Sequence, residues 1–149
     1  MQIAIGSDHR GYKLKQKLIP YLKKLRHSVR DYGTRSEESC DYPNYSYAVA
    51  KAVASGACKK GIIICYTGIG SAIAANKVPG IRAGVSNNVL AAKMSRLHND
   101  TNVLVLGAGF VAPKKAKDII KVWLKTKFEG GRHLRRVRQI RQIEKMESR

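Results

Sequence analysis

Cys65 closes the apolar run Gly61-Ile62-Ile63-Ile64 and opens onto Tyr66-Thr67-Gly68-Ile69-Gly70-Ser71. A thiol at the end of a buried strand, facing a glycine turn that starts a helix, is placed for chemistry. The N–H groups of such a turn form an anion site. A thiol beside them ionises more readily, and the thiolate can serve as nucleophile or general base. The same N–H groups can hold an oxyanion that develops on a bound substrate. Further polar groups sit at other element ends: Ser7-Asp8-His9-Arg10, Asp41-Tyr42, Ser86-Asn87-Asn88 and His98-Asn99-Asp100. Singly, each has a plain explanation. Asp8 suits a helix N-cap, Asp41-Tyr42-Pro43 a turn, and His98-Asn99 a helix C-terminus. A lone buried cysteine is most often an inert core residue. Their joint occurrence is harder to dismiss, and the expectation is that they converge on one edge as an active site.

The glycine turn does not read as a nucleotide loop. A dinucleotide fingerprint needs a small residue three places after Gly70, where this chain has Ile73, and it belongs on the first strand rather than the third. Residues 6–13, GSDHRGYK, miss a P-loop because Tyr12 stands where the lysine must be. A thiol phosphatase would close its loop on an arginine, yet none follows Cys65 before Arg82. Proton transfer beside a carbonyl of a phosphorylated molecule fits these groups. Cysteine-based acyl or phosphoryl transfer stays open on residue types alone.

The elements that must hold these groups are short and regular. Strands are predicted at Gln2–Gly6, Ser28–Tyr32, Gly61–Cys65, Ile81–Val85 and Asn102–Leu106. Helices are predicted at Tyr12–Leu25, Tyr45–Ser55, Ile73–Lys77, Val89–Leu97 and Lys114–Lys127, with a basic helix from about Arg132. Leu14, Leu18, Leu22 and Leu25 share one face of the first helix, Gly56 closes the second, and residues 34–43 read as a loop. Alternating strands and helices imply βαβ units, hence a parallel sheet with helices on both faces. Runs such as IIIC and VLVLG suit strands buried on both sides. In such sheets ligands gather at the carboxyl ends of the strands.

The 149 residues make one domain, with residues from about 132 to 149 as a basic helix and tail. The three cysteines, Cys40, Cys58 and Cys65, lack paired or zinc-type spacing, so a reduced cytoplasmic protein without a metal site is expected. No apolar run is long enough for a membrane span, and no secretory signal opens the chain. The net charge of +19 raises nucleic acid as a partner. The charge is spread along the chain, concentrated only in RHLRRVRQIRQIEK, and aromatic residues are few. Both facts disfavour a nucleic-acid platform.

Together GSDH at the start, DYP at 41–43, ICYTGIGSAIAANKVPGIRA, RLHNDTNVLVLG at 96–107 and WLKTKFEGGRHLRRV at 123–137 are specific. The sequence resembles the B-type ribose-5-phosphate isomerases, within the larger family that includes the galactose-6-phosphate isomerase subunits. The resemblance runs from Met1 to about Ile143. It implies a Rossmann-like three-layer α/β/α sandwich with a five-stranded parallel sheet. It implies an aldose–ketose isomerase of the pentose phosphate pathway that needs no metal and no cofactor and interconverts ribose 5-phosphate and ribulose 5-phosphate through an enediolate. An isomerase of a six-carbon sugar phosphate, allose or galactose 6-phosphate, is the alternative within the family. The resemblance also implies a homodimer, or a tetramer of dimers, whose sites are each built by two subunits.

By position, the resemblance makes Cys65 the general base, with Thr67 beside it. The backbone of residues 66–70, leading into Ser71, becomes the anion hole, so that Tyr66, Gly68, Ile69 and Gly70 line it. His98 helps open the sugar ring with Asp8 on the hydroxyls. His9, Arg132 and Arg136 hold the phosphate, Asn99 contacts the sugar, and Asp41 and Tyr42 line the pocket. Two positions depart from the family pattern. Tyr66 stands where Gly is usual. Gly109 stands where an Arg is common, leaving Lys114 or Lys115 to compensate for a missing phosphate ligand.

Overall fold

The computed structural model describes residues 1–147. Its elements are β1 (Gln2–Ser7), α1 (Tyr12–Lys24), β2 (Ser28–Asp31), α2 (Tyr42–Ala54), β3 (Lys60–Cys65), α3 (Ile69–Ala75), β4 (Ala83–Val85), α4 (Val89–Asn99), β5 (Val103–Gly107), α5 (Pro113–Lys125) and α6 (Gly131–Glu147). The strands form a single parallel sheet in the order β2-β1-β3-β5-β4. The expected three-layer sandwich is present.

The alternation of side chains along each strand divides the core into two layers. Ile3, Ile5, Ile62, Ile64, Leu104 and Leu106 face Leu14, Leu18 and Leu22 of α1 and Ile119, Ile120 and Trp123 of α5. Ala4, Ile63, Val103 and Val105 face Val49 and Val53 of α2 and Ala72 and Ala75 of α3. Truncating one such core leucine to alanine costs roughly 2–5 kcal/mol, a large share of the stability of a domain this size. Lys15 is fully buried, and its ammonium is held by Asp31 at 2.6 Å and the Thr34 carbonyl. That ion pair locks α1 to the end of β2.

The chain passes from β1 outward to β2, then crosses to β3 on the other side of β1. This reversal makes the β1/β3 border the switch point of the sheet, where its carboxyl ends leave room for a ligand. The two strands pair from Ile3 with Lys60 up to Ser7 with Ile64.

Some element boundaries differ from the sequence expectation. α3 begins at Ile69, not Ile73, because Gly68 at φ +85° turns the strand into the helix at once. α2 begins at Tyr42, not Tyr45, since Pro43 falls in the first turn, where a missing N–H costs nothing. β4 shortens to Ala83–Val85, as the Arg82 amide is taken by the Asn102 side chain. The basic tail is helical through Glu147, while residues 148 and 149 of the expected segment lie outside the described residues. Among the described residues no helix is long and apolar enough to cross a membrane.

Candidate active site

β3 delivers Cys65 to the switch point, where it is 5% exposed. Its sulfur accepts the Gly68 N–H at 3.1 Å. Gly68 is required at this corner: its φ lies in the left-handed region, and a β-carbon would stand 3.1 Å from Val85 Cγ1. The Ile69 N–H goes to the Thr67 hydroxyl at 3.2 Å. The first intrahelical bond of α3 then runs from Ala72 N to Gly68 O. Gly70 and Ser71 therefore keep first-turn amides without an intrahelical partner. Within the expected 66–70 span, the Gly68 and Ile69 amides are thus engaged inside the turn itself. The Ser71 hydroxyl beside them is buried and has no hydrogen-bond partner. Tyr42, at the start of α2, lies over Gly70 so closely that a β-carbon there would be 2.5 Å from its Cζ. Asp41, before it, is exposed.

β1 brings the neighbouring wall. Asp8 is 6% exposed, and its Oδ1 accepts the Gly11 N–H at 2.9 Å. Its own N–H donates to the Ile64 carbonyl, tying this turn to β3 just before Cys65. His9 Nδ1 accepts the Cys40 N–H at 3.2 Å. That bond assigns the ring proton to Nε2, which becomes the donor available to a ligand. The Ser7 hydroxyl is a further buried group without a partner at this strand end.

The structure divides the remaining candidates from these. α4 starts at the carboxyl edge and runs antiparallel to the strands for 11 residues, about 16 Å. Its end is held at the amino edge, where Arg82 Nε contacts the Asn99 and Asp100 carbonyls, both at 3.0 Å. The Asn102 carbonyl, three residues on, accepts the Gly61 N–H. Cys65 lies four residues along β3 from Gly61, roughly 13 Å away. His98 and Asn99 are therefore at the opposite edge of the sheet from Cys65. The start of α6 is beside them, since the Glu129 N–H bonds the Leu97 carbonyl and the His133 ring stacks on His98 at 4.1 Å. Arg132 and Arg136, both exposed, belong to this second cluster. The expectation of convergence on one edge fails within one chain, because each crossover helix returns the backbone to the amino edge before the next parallel strand.

This second cluster has its own electrostatics. His133 is buried with an unpartnered Nε2, 3.6 Å from a Glu129 carboxylate oxygen. Burial foremost, then His98, Arg132 and Arg136, hold its imidazole below the ordinary value, against the pull of Glu129. His98, Glu129 and His133 offer ligand atoms within 4.8 Å of one another, the one group of this kind among the described residues. Closing it on an ion at ~2.0–2.1 Å would require the stacked rings to tilt apart. A cavity of about 970 Å³ runs along β4 under α6, lined by Ile81, Met94, Asn99, Ile140 and Ile143. Its lining extends to Val85 and Ser86 at the carboxyl end of β4.

The departures from the family pattern meet in space. The Gly109 N–H donates to the Tyr66 carbonyl at 2.9 Å, and the Tyr66 ring lies against Gly109. Arg10 places its guanidinium carbon 5.0 Å from the centre of the Tyr66 ring. Lys114 and Lys115 are exposed on the first turn of α5. The residue types after β1 marked Arg10 as polar, but its contact with Tyr66 needs the fold to be seen.

A doubly wound α/β sheet with a buried thiol, an amide-rich turn and Asp8 gathered at its switch point has the build of an α/β enzyme. The known proteins it matches agree. The Ribose/Galactose Isomerase family model covers residues 3–140. Ribose-5-phosphate isomerase B of Escherichia coli (strain K12) is 48% identical over 143 residues, 96% of each chain. The solved Clostridium thermocellum ribose-5-phosphate isomerase B is 54% identical with a TM-score of 0.97, covering 98% of this chain and 99% of that one. The Mycoplasma genitalium ribose-5-phosphate isomerase B, solved with bound ribulose-5-phosphate, is 38% identical with a TM-score of 0.93, covering 97% and 96%. The chain belongs to the ribose/galactose isomerase family.

Proposed function

We propose that this enzyme interconverts D-ribose 5-phosphate and D-ribulose 5-phosphate in the cytoplasm. The carrying observation is the Cys65 sulfur, buried at the switch point with an amide donated to it and free first-turn amides beside it. Cys65 as thiolate removes the proton from C2 of the open-chain aldose. The resulting enediolate places its negative oxygen on the Gly70 and Ser71 amides, with Thr67 alongside. The proton on O2 passes to O1 within the enediolate, and the same sulfur returns its proton to C1, giving the ketose. Asp8 addresses the sugar hydroxyls, and His9 donates from Nε2 to the phosphate.

The reading includes a homodimer with shared sites. Ring opening by His98, sugar contact by Asn99 and phosphate binding by Arg132 and Arg136 all require groups from the opposite edge. A second copy can bring its amino-edge cluster to this copy's Cys65. Exposed apolar side chains around the carboxyl edge support this: Ile69, Ile73, Leu90 and Phe110 are each more than half exposed. A patch of that kind favours a partner.

The test is a substrate panel. Purified protein is given ribose 5-phosphate, allose 6-phosphate and galactose 6-phosphate, and ketose formation is followed. Highest kcat/KM on the five-carbon substrate is expected. A six-carbon preference would move the assignment within the family, and inactivity on all of them would overturn it.

A further inference from the structure

Arg10 is exposed, and among the described residues no carboxylate lies within ion-pair distance of it. An exposed arginine of that kind is ordinarily spread over many rotamers. Here its guanidinium is seated over the Tyr66 ring, 5.0 Å from the centroid. That ring is itself placed by Gly109, which leaves the space it fills, and is flanked by Phe110 at 6.5 Å between ring centres. The seat lies at the mouth of the site. Tyr66 directly follows Cys65, and Arg10 directly follows His9, whose Nε2 is the free donor. A guanidinium stacked on an aromatic face keeps its in-plane N–H groups for an anion, and a dianionic phosphate matches that fork in a bidentate manner.

We propose that Arg10, seated on Tyr66, is a phosphate-binding residue of this site, with Gly109 making room for the seat. It deepens the reading of the site as one for a sugar phosphate and rests on it. Arg10 and His9 would grip the phosphate from one chain, on the side of Cys65, whatever the other subunit adds. No bond is made or broken by this group; it positions the substrate and sets its affinity.

Inorganic phosphate binding by calorimetry and steady-state kinetics with ribose 5-phosphate test this together. Arg10→Ala should raise both the phosphate Kd and the KM by about tenfold or more, as expected for a lost charged hydrogen-bond pair. Its kcat should stay within a few-fold. Lys17→Ala, which removes an exposed charge from α1, should change neither constant. Tyr66→Ala should weaken phosphate, and Arg10→Ala with Tyr66→Ala should be no weaker than Arg10→Ala alone. An unchanged phosphate Kd in Arg10→Ala overturns the proposal, as does equal weakening in Lys17→Ala, which would mean a net-charge effect. Fully additive losses in the double variant would overturn the role of the ring. Should the wild type bind phosphate yet isomerise no five-carbon substrate, the functional reading fails while the phosphate titration still decides Arg10.

Discussion

The Tyr66 ring lies on Gly109 so closely that a β-carbon at position 109 would stand 2.7 Å from Cε2 and 2.8 Å from Cζ. The two departures from the family pattern are therefore one structural event: the ring at 66 occupies space that a side chain at 109 would need. Gly109→Ala must push the ring aside. The ring is half exposed and can swing outward, so stability should change by no more than about 0.5 kcal/mol. KM should rise instead, because the ring no longer sits where it does. In a Tyr66→Gly background the same Gly109→Ala change should have no further effect on KM. A double-mutant cycle reads the coupling directly, and independent, additive effects would show that the contact carries nothing.

Cys65→Ala removes the proposed base while leaving a small buried side chain. We expect kcat to fall by about 10²–10⁴-fold, with the thermal transition near that of the wild type. Exchange of the C2 proton with deuterated solvent should fall in parallel, because that exchange reports proton abstraction itself. A Cys65→Ala enzyme that still exchanges the C2 proton at the wild-type rate would remove the sulfur from the mechanism.

The separation of Cys65 from His98 gives a test that needs no structure of the assembly. Neither Cys65→Ala nor His98→Asn should work alone. Co-expressed and randomly mixed, they form hybrid dimers in which one of two sites has both groups intact. Half of the dimers are hybrids, so activity should recover to about a quarter of the wild-type value if the sites are shared across a two-fold. No recovery from hybrids isolated with two different affinity tags would mean that both groups serve one chain's site.

Much of this is legible in the amino-acid sequence. β1, β3 and β5 were plain because their apolar runs are buried on both faces and leave no helical alternative of that length. Cys65 and its turn were plain because glycine at 68 and 70 marks both the corner and the amides. The parallel topology already implied that α4 returns to the amino edge. The residue types alone, however, invited the grouping of His98 with Cys65. α3 starts four residues before the sequence expectation, since Ile69 and Gly70 are poor helix formers whose preference the left-handed turn at Gly68 overrides. The Arg10–Tyr66–Gly109 seat was out of reach, since it joins three strand ends through contacts that have no periodic signature.

Lys60 supplies a pH test of the amino edge. Its ammonium lies 5.1 Å from the Trp123 ring centre and donates to the Thr101 carbonyl at 3.4 Å. Burial foremost, then the positive charges of Arg96 and Arg82, lower its pKa from 10.5 to about 8, with Asp100 opposing. The folded state thus takes this proton less readily than the unfolded chain does. Below about pH 8 both states are protonated, and the fold bears the full cost of a confined ammonium. Between about pH 8 and 10.5 only the unfolded chain keeps the proton, so this cost is relieved and the contribution to stability rises with pH. Lys60→Met should accordingly melt above the wild type at pH 7, with a gap that narrows steadily as the pH is raised through this window. Other lysines and tyrosines titrate there too, but they do so in both proteins, and the difference between the two melting curves isolates Lys60. A gap that is constant with pH, or that widens, would show that the ammonium is not confined as the structure places it.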